Sequence, residues 1–175
     1  MFKEKHLTIA GRANMATMCF LKERITEIEK AVLKKAKLWE EYHKLLTVPG
    51  IGKILALTIM FETRDITRFP EVDNYVSYCH CVGSINISNG KNKGEGNRKN
   101  GNKYLSWAYA EAANFAIRGY PYARSYYQKK AVKTSNIVGI KAVSHKLARA
   151  SYCVIKNREV FDYKKSFCIK DGCGR

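Results

Sequence analysis

The protein has 175 residues and a mass of 20.0 kDa, which is enough for one domain with a substantial core and too little for two catalytic domains of ordinary size. Its 32 lysine and arginine residues outnumber its 15 acidic residues, so the formal net charge is +17. This excess makes nucleic acid the leading class of partner, with an anionic membrane surface second. No stretch of about 20 residues is both apolar and uncharged, so we expect neither a membrane span nor a secretory signal.

The six cysteines lack the paired spacing of a zinc ribbon. Cys79 and Cys81 are too close together for such a pair, and Cys168 and Cys173 are too far apart. We therefore predict reduced thiols, no metal site and no cofactor in this chain.

Apolar residues recur every three or four positions from Met18 to Tyr42, with one interruption at Lys35. This heptad-like spacing predicts a long amphipathic helix. The lysines and glutamates between the apolar positions favour a solvated opposite face. Two interpretations stay open: the helix packs on its own domain, or it pairs with a second chain.

The stretch from Leu45 to Ile59 has the residue order of a helix-hairpin-helix, with Pro49 and two glycines at its turn. In that motif the backbone N–H groups of Gly50, Gly52 and Lys53 lie at a helix N-terminus, where unpaired donors and the helix dipole favour a phosphate. On so basic a chain, the pattern predicts contact with DNA phosphates. An ordinary glycine turn between two helices is the alternative.

Residues 83–102 have almost no apolar content and are rich in glycine, asparagine and lysine, so we predict a long basic loop. The cations of this loop, together with Lys103 just after it, predict contacts with a nucleic-acid backbone. They are Lys91, Lys93, Arg98, Lys99 and Lys103. A flexible solvated loop explains the composition nearly as well. Ser88 lies where the basic run begins, but a serine is a poor nucleophile at neutral pH without a base, a metal or cationic groups. Spacing alone therefore does not assign it a catalytic role.

The remaining apolar spacing predicts a mainly α fold, in which a long coiled-coil-like N-terminal helix precedes a compact helical domain with the helix-hairpin-helix and the basic loop. The other predicted helices cover residues 53–61, 71–82, 103–118, 122–132 and 140–157. The helix from residue 103 is predicted to carry five residues on one apolar side: Leu105, Ala108, Ala112, Phe115 and Ala116. The last helix carries a basic face with Lys146 and Arg149, which we add to the candidate DNA contacts. The polar tail has three predicted anchors: Phe161, Tyr163 and Phe167.

Several motifs occur in one order along the chain. They are Leu46–Gly52, Glu62 with Asp65–Phe69, Ser88–Lys91 ahead of Lys99–Leu105 and Ala112-Ala113, and Lys141–Arg149. Together they resemble the C-terminal half of the DEDD-type insertion-sequence transposases, the "one-ten" family that includes pilin-gene invertases and RNA-guided bridge recombinases. The resemblance covers residues 45–163, preceded by a helical linker at 1–44 and followed by a polar tail at 164–175.

The resemblance implies a DNA-binding transposase domain whose serine, matching Ser88, attacks a DNA phosphodiester and holds the strand as a phosphoserine link. In that family an N-terminal RuvC-like domain binds Mg²⁺ through four carboxylates, and this chain has no room for it. We therefore expect a truncated transposase, or a separately encoded half, that is inactive or nearly so alone. The alternative is a non-catalytic DNA- or RNA-binding remnant, or a dominant-negative partner of an intact transposase.

The resemblance also implies the partners. They are DNA, a guide RNA as a further candidate, and a second copy or an intact transposase joined through the N-terminal helix. No membrane partner is implied, and the expected location is the prokaryotic cytoplasm.

Overall fold

The computed structural model describes residues 5–36, 39–82, 85–88, 91–95 and 101–167. The chain divides into two compact units, Met1–Trp39 and Glu40–Arg175. The described residues form helices α1 (Lys5–Ala36), α2 (Glu40–Leu45), α3 (Lys53–Thr63), α4 (Val72–Tyr78), α5 (Lys103–Gly119), α6 (Pro121–Ala131), α7 (Asn136–Asn157) and α8 (Tyr163–Phe167). A short 3-10 helix covers Ile66–Arg68, and two short strands are β1 (Ile85–Ser88) and β2 (Lys91–Glu95). The predicted mainly α fold class is therefore confirmed.

Helix α1 forms the first unit and contains the predicted heptad seam. Its seam residues Met18, Leu21, Ile25 and Ile28 are more than half exposed to solvent. The helix ends at Ala36, so the prediction that one helix continues to Tyr42 was wrong. Among the described residues, no helix is long and apolar enough to cross a membrane.

Tyr42 lies instead in α2, where its side chain and that of Leu45 are buried. Burial of these two side chains in the second unit stabilises a separate short helix. The charges of α2 also suit its own dipole, because Glu40 and Glu41 lie in the first turn and Lys44 lies in the last.

Helix α7 is the central element of the second unit, and it packs against α2, α4, α5, α6 and α8. It buries large residues such as Val143 and Leu147. It begins at Asn136, earlier than predicted, because the Ser135 hydroxyl caps it by accepting the N–H of Val138 at 3.4 Å. The additional first turn packs against α6, where a Cβ on Gly139 would lie 2.9 Å from the Tyr127 ring.

Helix α5 buries an alanine-rich face, so its backbone approaches its neighbours closely. The buried residues include Ala108, Ala112, Ala113 and Ala116. Phe115 is half exposed, so the prediction that it lies on the buried side was wrong. Ala116 occupies the core, and Phe115 is turned about 100° away from it around the helix axis.

A chain of buried hydroxyl groups joins three helices in the core. The Tyr75 hydroxyl lies 3.0 Å from Thr63 Oγ1 and 2.8 Å from the Tyr109 hydroxyl. Tyr75 lies in α4, Thr63 in α3 and Tyr109 in α5. Burial raises the pKa of both tyrosines well above the usual range, so the phenols stay protonated at neutral pH.

The C-terminal tail is attached through its aromatic residues, as predicted. Phe167 is buried, and its ring centroid lies 5.3 Å from that of Tyr122. The Tyr163 ring stacks on the same tyrosine, also at 5.3 Å. The ring centroid of Phe161 lies 6.4 Å from that of Phe167. The aromatic cluster therefore packs α8 against α6.

Candidate nucleic-acid interface

Part of the segment predicted as a loop is an antiparallel β-hairpin. Strand β1 pairs with β2 so that Ser88 lies directly opposite Lys91, with a register irregularity between Ile85 and Ile87. Opposite residues of an antiparallel pair are close neighbours, so the register brings a cationic residue next to the candidate nucleophile. Lys93 also lies in β2. Two further predicted contacts, Arg98 and Lys99, lie outside the described residues.

The chain that follows the hairpin segment is fixed to the helical body by Asn102. The Asn102 N–H donates to the carbonyl oxygen of Tyr78 at 2.7 Å. Its side-chain oxygen caps α5 by accepting the N–H groups of Tyr104 at 2.8 Å and Leu105 at 3.1 Å. Its side-chain nitrogen donates to Glu62 Oε2 at 2.6 Å. One side chain thus joins the start of α5 to α3 and α4.

Gly101 completes this attachment because it lies too close to α4 for any larger residue. Its φ is +106°, and a Cβ there would lie 2.6 Å from Cδ2 of His80 and 2.8 Å from the Tyr78 carbonyl oxygen. His80 itself has a φ of +57°. This left-handed residue ends α4 and turns the chain toward the hairpin, so α4 is shorter than the predicted helix over 71–82.

Replacing Asn102 with alanine should lower the free energy of unfolding of the second unit by about 2 kcal/mol, because a well-formed cap and a charge-assisted hydrogen bond are lost together. The matched control is Ser135→Ala, which removes a cap with one long hydrogen bond and should cost about 0.5 kcal/mol. Urea unfolding followed by circular dichroism measures both values. Equal losses would contradict the role given to Asn102.

The predicted helix-hairpin-helix region consists of α2, a turn and α3. Gly50 at the turn has a φ of +78°, and a Cβ there would lie 2.0 Å from the Ala112 carbonyl oxygen of α5. Gly52 is the N-cap of α3, with no side chain capping the helix. Gly52 and Lys53 are exposed. The turn therefore presents an uncapped helix N-terminus and a lysine to solvent, the arrangement that favours an anion.

A second group of cations lies where α6 packs against α7. The Nζ atoms of Lys130 and Lys146 lie 5.9 Å and 5.7 Å from the centre of the Tyr126 ring. Arg149 is one turn along α7 from Lys146 and forms an ion pair with Asp73. We call Lys130, Lys146 and Arg149 the α6–α7 cationic cluster.

The electrostatics of the α6–α7 cationic cluster show that it carries an excess of positive charge. Burial, followed by the charges of Arg149 and Lys130, lowers the pKa of Lys146. Burial and the charges of Arg149 and Lys146 likewise lower the pKa of His145, against a smaller opposing effect of Asp73. A bound phosphate would relieve this repulsion.

Lys146 and Arg149 also line a groove of about 380 Å³ between α7 and the chain that follows it. The far wall includes Phe161 and Lys165. Glu159 lies in the same wall and forms an ion pair with Lys165 at 3.7 Å. The groove therefore carries cations on both walls, with two on α7 and Lys165 on the opposite side.

The cysteines in the described ranges are not arranged as metal ligands. Burial raises the pKa of the Cys81 thiol to about 12, and it raises the pKa of Cys79 further, so neither is a thiolate at neutral pH. In those same ranges no three His, Cys, Asp or Glu side chains are grouped closely enough to hold a metal ion. Cys168 and Cys173 lie outside them.

The predicted DNA contacts thus fall on three separate parts of the second unit. Gly50, Gly52 and Lys53 lie at the turn before α3, Lys91 and Lys93 lie on the hairpin with Lys103 at the start of α5, and Lys146 and Arg149 lie on α7. Sequence reasoning missed Lys130, which joins the α7 pair only through tertiary packing. It also gave no role to Asn102, although an asparagine directly before a helix is a recognised N-cap signal.

Comparison with known proteins identifies the second unit. Residues 42–128 match the model of the transposase IS116/IS110/IS902 family. Residues 42–128 are therefore a domain of this transposase family. The match covers the turn before α3, the hairpin with Ser88, and helix α5, and it confirms the family resemblance seen in the motifs. The α7 residues lie beyond the matched range, and no curated protein matches the chain.

Proposed function

We propose that the chain acts in insertion-sequence transposition as a DNA-binding domain whose Ser88 is the nucleophile for strand exchange. The observation that carries the proposal is the register of the hairpin, which sets Ser88 opposite Lys91 within the residues that match the transposase family. Lysine is a residue type that can favour a serine alkoxide and the negative charge that develops on the phosphorus oxygens during attack.

In the proposed step the Ser88 oxygen attacks the phosphorus of a DNA phosphodiester. A serine–phosphate ester bond forms, and the bond between phosphorus and one deoxyribose oxygen breaks. The departing oxygen takes up the proton that the serine loses, so the products are a phosphoserine-linked strand and a free strand end with a hydroxyl group. Attack of another strand's hydroxyl on the phosphoserine reverses the step and releases Ser88.

Three features of the second unit support binding of DNA. The turn before α3 offers backbone N–H groups and Lys53, the hairpin offers Lys91 and Lys93, and the α6–α7 cationic cluster carries unbalanced charge. Phosphate contacts of this kind position a protein on DNA without reading its sequence. We propose that the target sequence is read by another component, for which a guide RNA is a candidate.

The proposed protein partner is a second copy, or an intact transposase, that pairs with α1. The exposed seam residues Met18, Leu21, Ile25 and Ile28 have the spacing of a coiled-coil interface. Any Mg²⁺ would be held by the carboxylates of a RuvC-like domain, and the proposed site of action is the cytoplasm. A non-catalytic DNA-binding module, or a dominant-negative partner, is the second candidate, favoured by the scattering of carboxylates over the described residues.

The test is an assay for a covalent protein–DNA adduct. The full chain is incubated with a suicide substrate carrying an insertion-sequence junction, with and without a RuvC-like domain added as a separate chain. We expect an adduct stable in denaturant, and we expect Ser88→Ala to abolish it while DNA retention in a filter assay is unchanged. Ser125→Ala, at an exposed position of α6, is the matched control and should leave the adduct intact. Retention of DNA without any adduct in either condition would support the non-catalytic module instead.

A further inference from the structure

One face of α5 exposes three aromatic side chains in a row. Tyr104, Trp107 and Phe115 are 53%, 51% and 50% exposed. Spacings of three and eight residues bring them to the same side of the helix, over roughly 16 Å of its length. We call these three residues the aromatic stripe. Large aromatic rings exposed together mark an interaction surface.

Cations bound the aromatic stripe at both ends. Lys103 Nζ lies 5.2 Å from the centre of the Tyr104 ring, and Arg118 Cζ lies 4.9 Å from that of Phe115. The acid on the same face is Glu111, which is half-buried. A row of rings with a cation at each end suits a ligand with flat aromatic groups and a negatively charged backbone.

We infer that the aromatic stripe binds an unpaired DNA strand, with bases stacked on the rings and phosphates on Lys103 and Arg118. The inference rests on the proposed function, because a strand opened at Ser88 is a source of unpaired DNA. Lys103 follows the basic segment 83–102 in the sequence, so the cation at this end of the stripe extends a run of positively charged residues. The length of the stripe accommodates about three to five nucleotides.

Charge and shape both favour this ligand. A net charge of +17 and cations at both ends of the stripe favour a polyanion over an apolar protein surface. Duplex DNA keeps its base faces stacked inside the helix and cannot place them on the rings. The aromatic stripe should therefore select unpaired strands, whereas the α6–α7 cationic cluster contacts phosphates of any DNA.

The experiment uses the fluorescence of Trp107. The chain has two tryptophans, so Trp39→Phe leaves Trp107 as the only one. This variant of the full chain is titrated with a short oligothymidine, with a duplex of the same length and with the matching oligouridine. We expect the oligothymidine to quench Trp107 fluorescence and the duplex to bind without quenching it.

Variants then assign the binding energy to the rings. Trp107→Ala combined with Phe115→Ala should weaken binding of a fluorescein-labelled oligothymidine, measured by its anisotropy, roughly 10- to 100-fold, because each stacked base contributes substantially. The affinity of this double variant for duplex DNA should be unchanged. A variant with tyrosine in place of Trp107 keeps a ring at that position, so Trp107→Tyr should retain most of the affinity for oligothymidine that the alanine variant loses. Ile137→Ala, at an exposed apolar position of α7, is the control for loss of apolar surface and should change neither affinity.

Each other outcome overturns the inference. If the double variant binds oligothymidine as the wild type does, the stripe is not part of the binding site. If it loses duplex binding to the same extent, the stripe does not distinguish unpaired strands from duplex DNA. A change of oligomeric mass without a change in binding would make the stripe a protein interface, and tenfold tighter binding of oligouridine would assign it to RNA. If the wild-type protein binds duplex DNA but no single strand, this inference is wrong and the proposed function is unaffected. If it binds no DNA at all, the proposed function is wrong as well.

Discussion

Replacing Gly50 with alanine is expected to destabilise the second unit more than any other single change considered above. The φ of +78° is strained for a residue with a Cβ, and that atom would lie 2.0 Å from the Ala112 carbonyl oxygen and 2.9 Å from the Ala116 nitrogen. The left-handed backbone costs about 1–2 kcal/mol, and displacing α5 from the turn costs about 1–3 kcal/mol more. The total loss is about 2–5 kcal/mol, or roughly 10–20 °C in Tm.

Gly52→Ala is the matched control, two residues along the same turn. Its backbone has a φ of −88°, and a Cβ there meets nothing within 4 Å. The expected loss is about 0.5 kcal/mol or less. Thermal unfolding of both variants measures the difference. Equal stabilities would contradict the close contact between the turn and α5, and with it the position given to the predicted phosphate-binding turn.

Reversing the charges of Lys130 and Lys146 together is expected to weaken binding to duplex DNA roughly 30- to 100-fold at low salt. The two ammonium groups flank the same Tyr126 ring, and the pKa of Lys146 is lowered by burial and by neighbouring cations, so the wild-type cluster gains from a bound phosphate. The plot of log affinity against log salt should also become shallower by about 2, one for each lost phosphate contact.

Fluorescence anisotropy over a range of salt concentrations measures both effects. The matched control is Lys22→Glu combined with Lys30→Glu, which changes the net charge equally at exposed positions of α1. It should leave the salt dependence close to that of the wild type. If the two double variants weaken binding alike, the effect comes from net charge, and the α6–α7 cationic cluster is not a specific contact site.

Helix positions were predictable where caps and apolar spacing agree. Helix α3 begins at Lys53 after Gly52, and α5 begins at Lys103 after its cap Asn102, both as predicted. The side of α5 that is buried was harder to predict. Two apolar rows overlap on this helix, and the small side chains of the alanine row allow close packing, so that row is buried and Phe115 is left outside.

The hairpin was missed although a signal for it exists. Asn89-Gly90 is the dipeptide typical of two-residue hairpin turns, and the residues before it alternate, with Ile85 and Ile87. The polar composition of the segment obscured this signal. The α6–α7 cationic cluster, by contrast, has no sequence signal, because Lys130 and Lys146 meet only through packing of two helices.

Ser88 is the residue that we propose becomes linked to DNA. The direct measurement is mass spectrometry of the adduct after nuclease and protease digestion. The predicted result is a remnant nucleotide attached by a phosphate ester within the peptide that contains Ser88, at the serine itself. A nucleotide attached to any other residue, such as one of the tyrosines, would contradict the proposed chemistry even if the adduct forms.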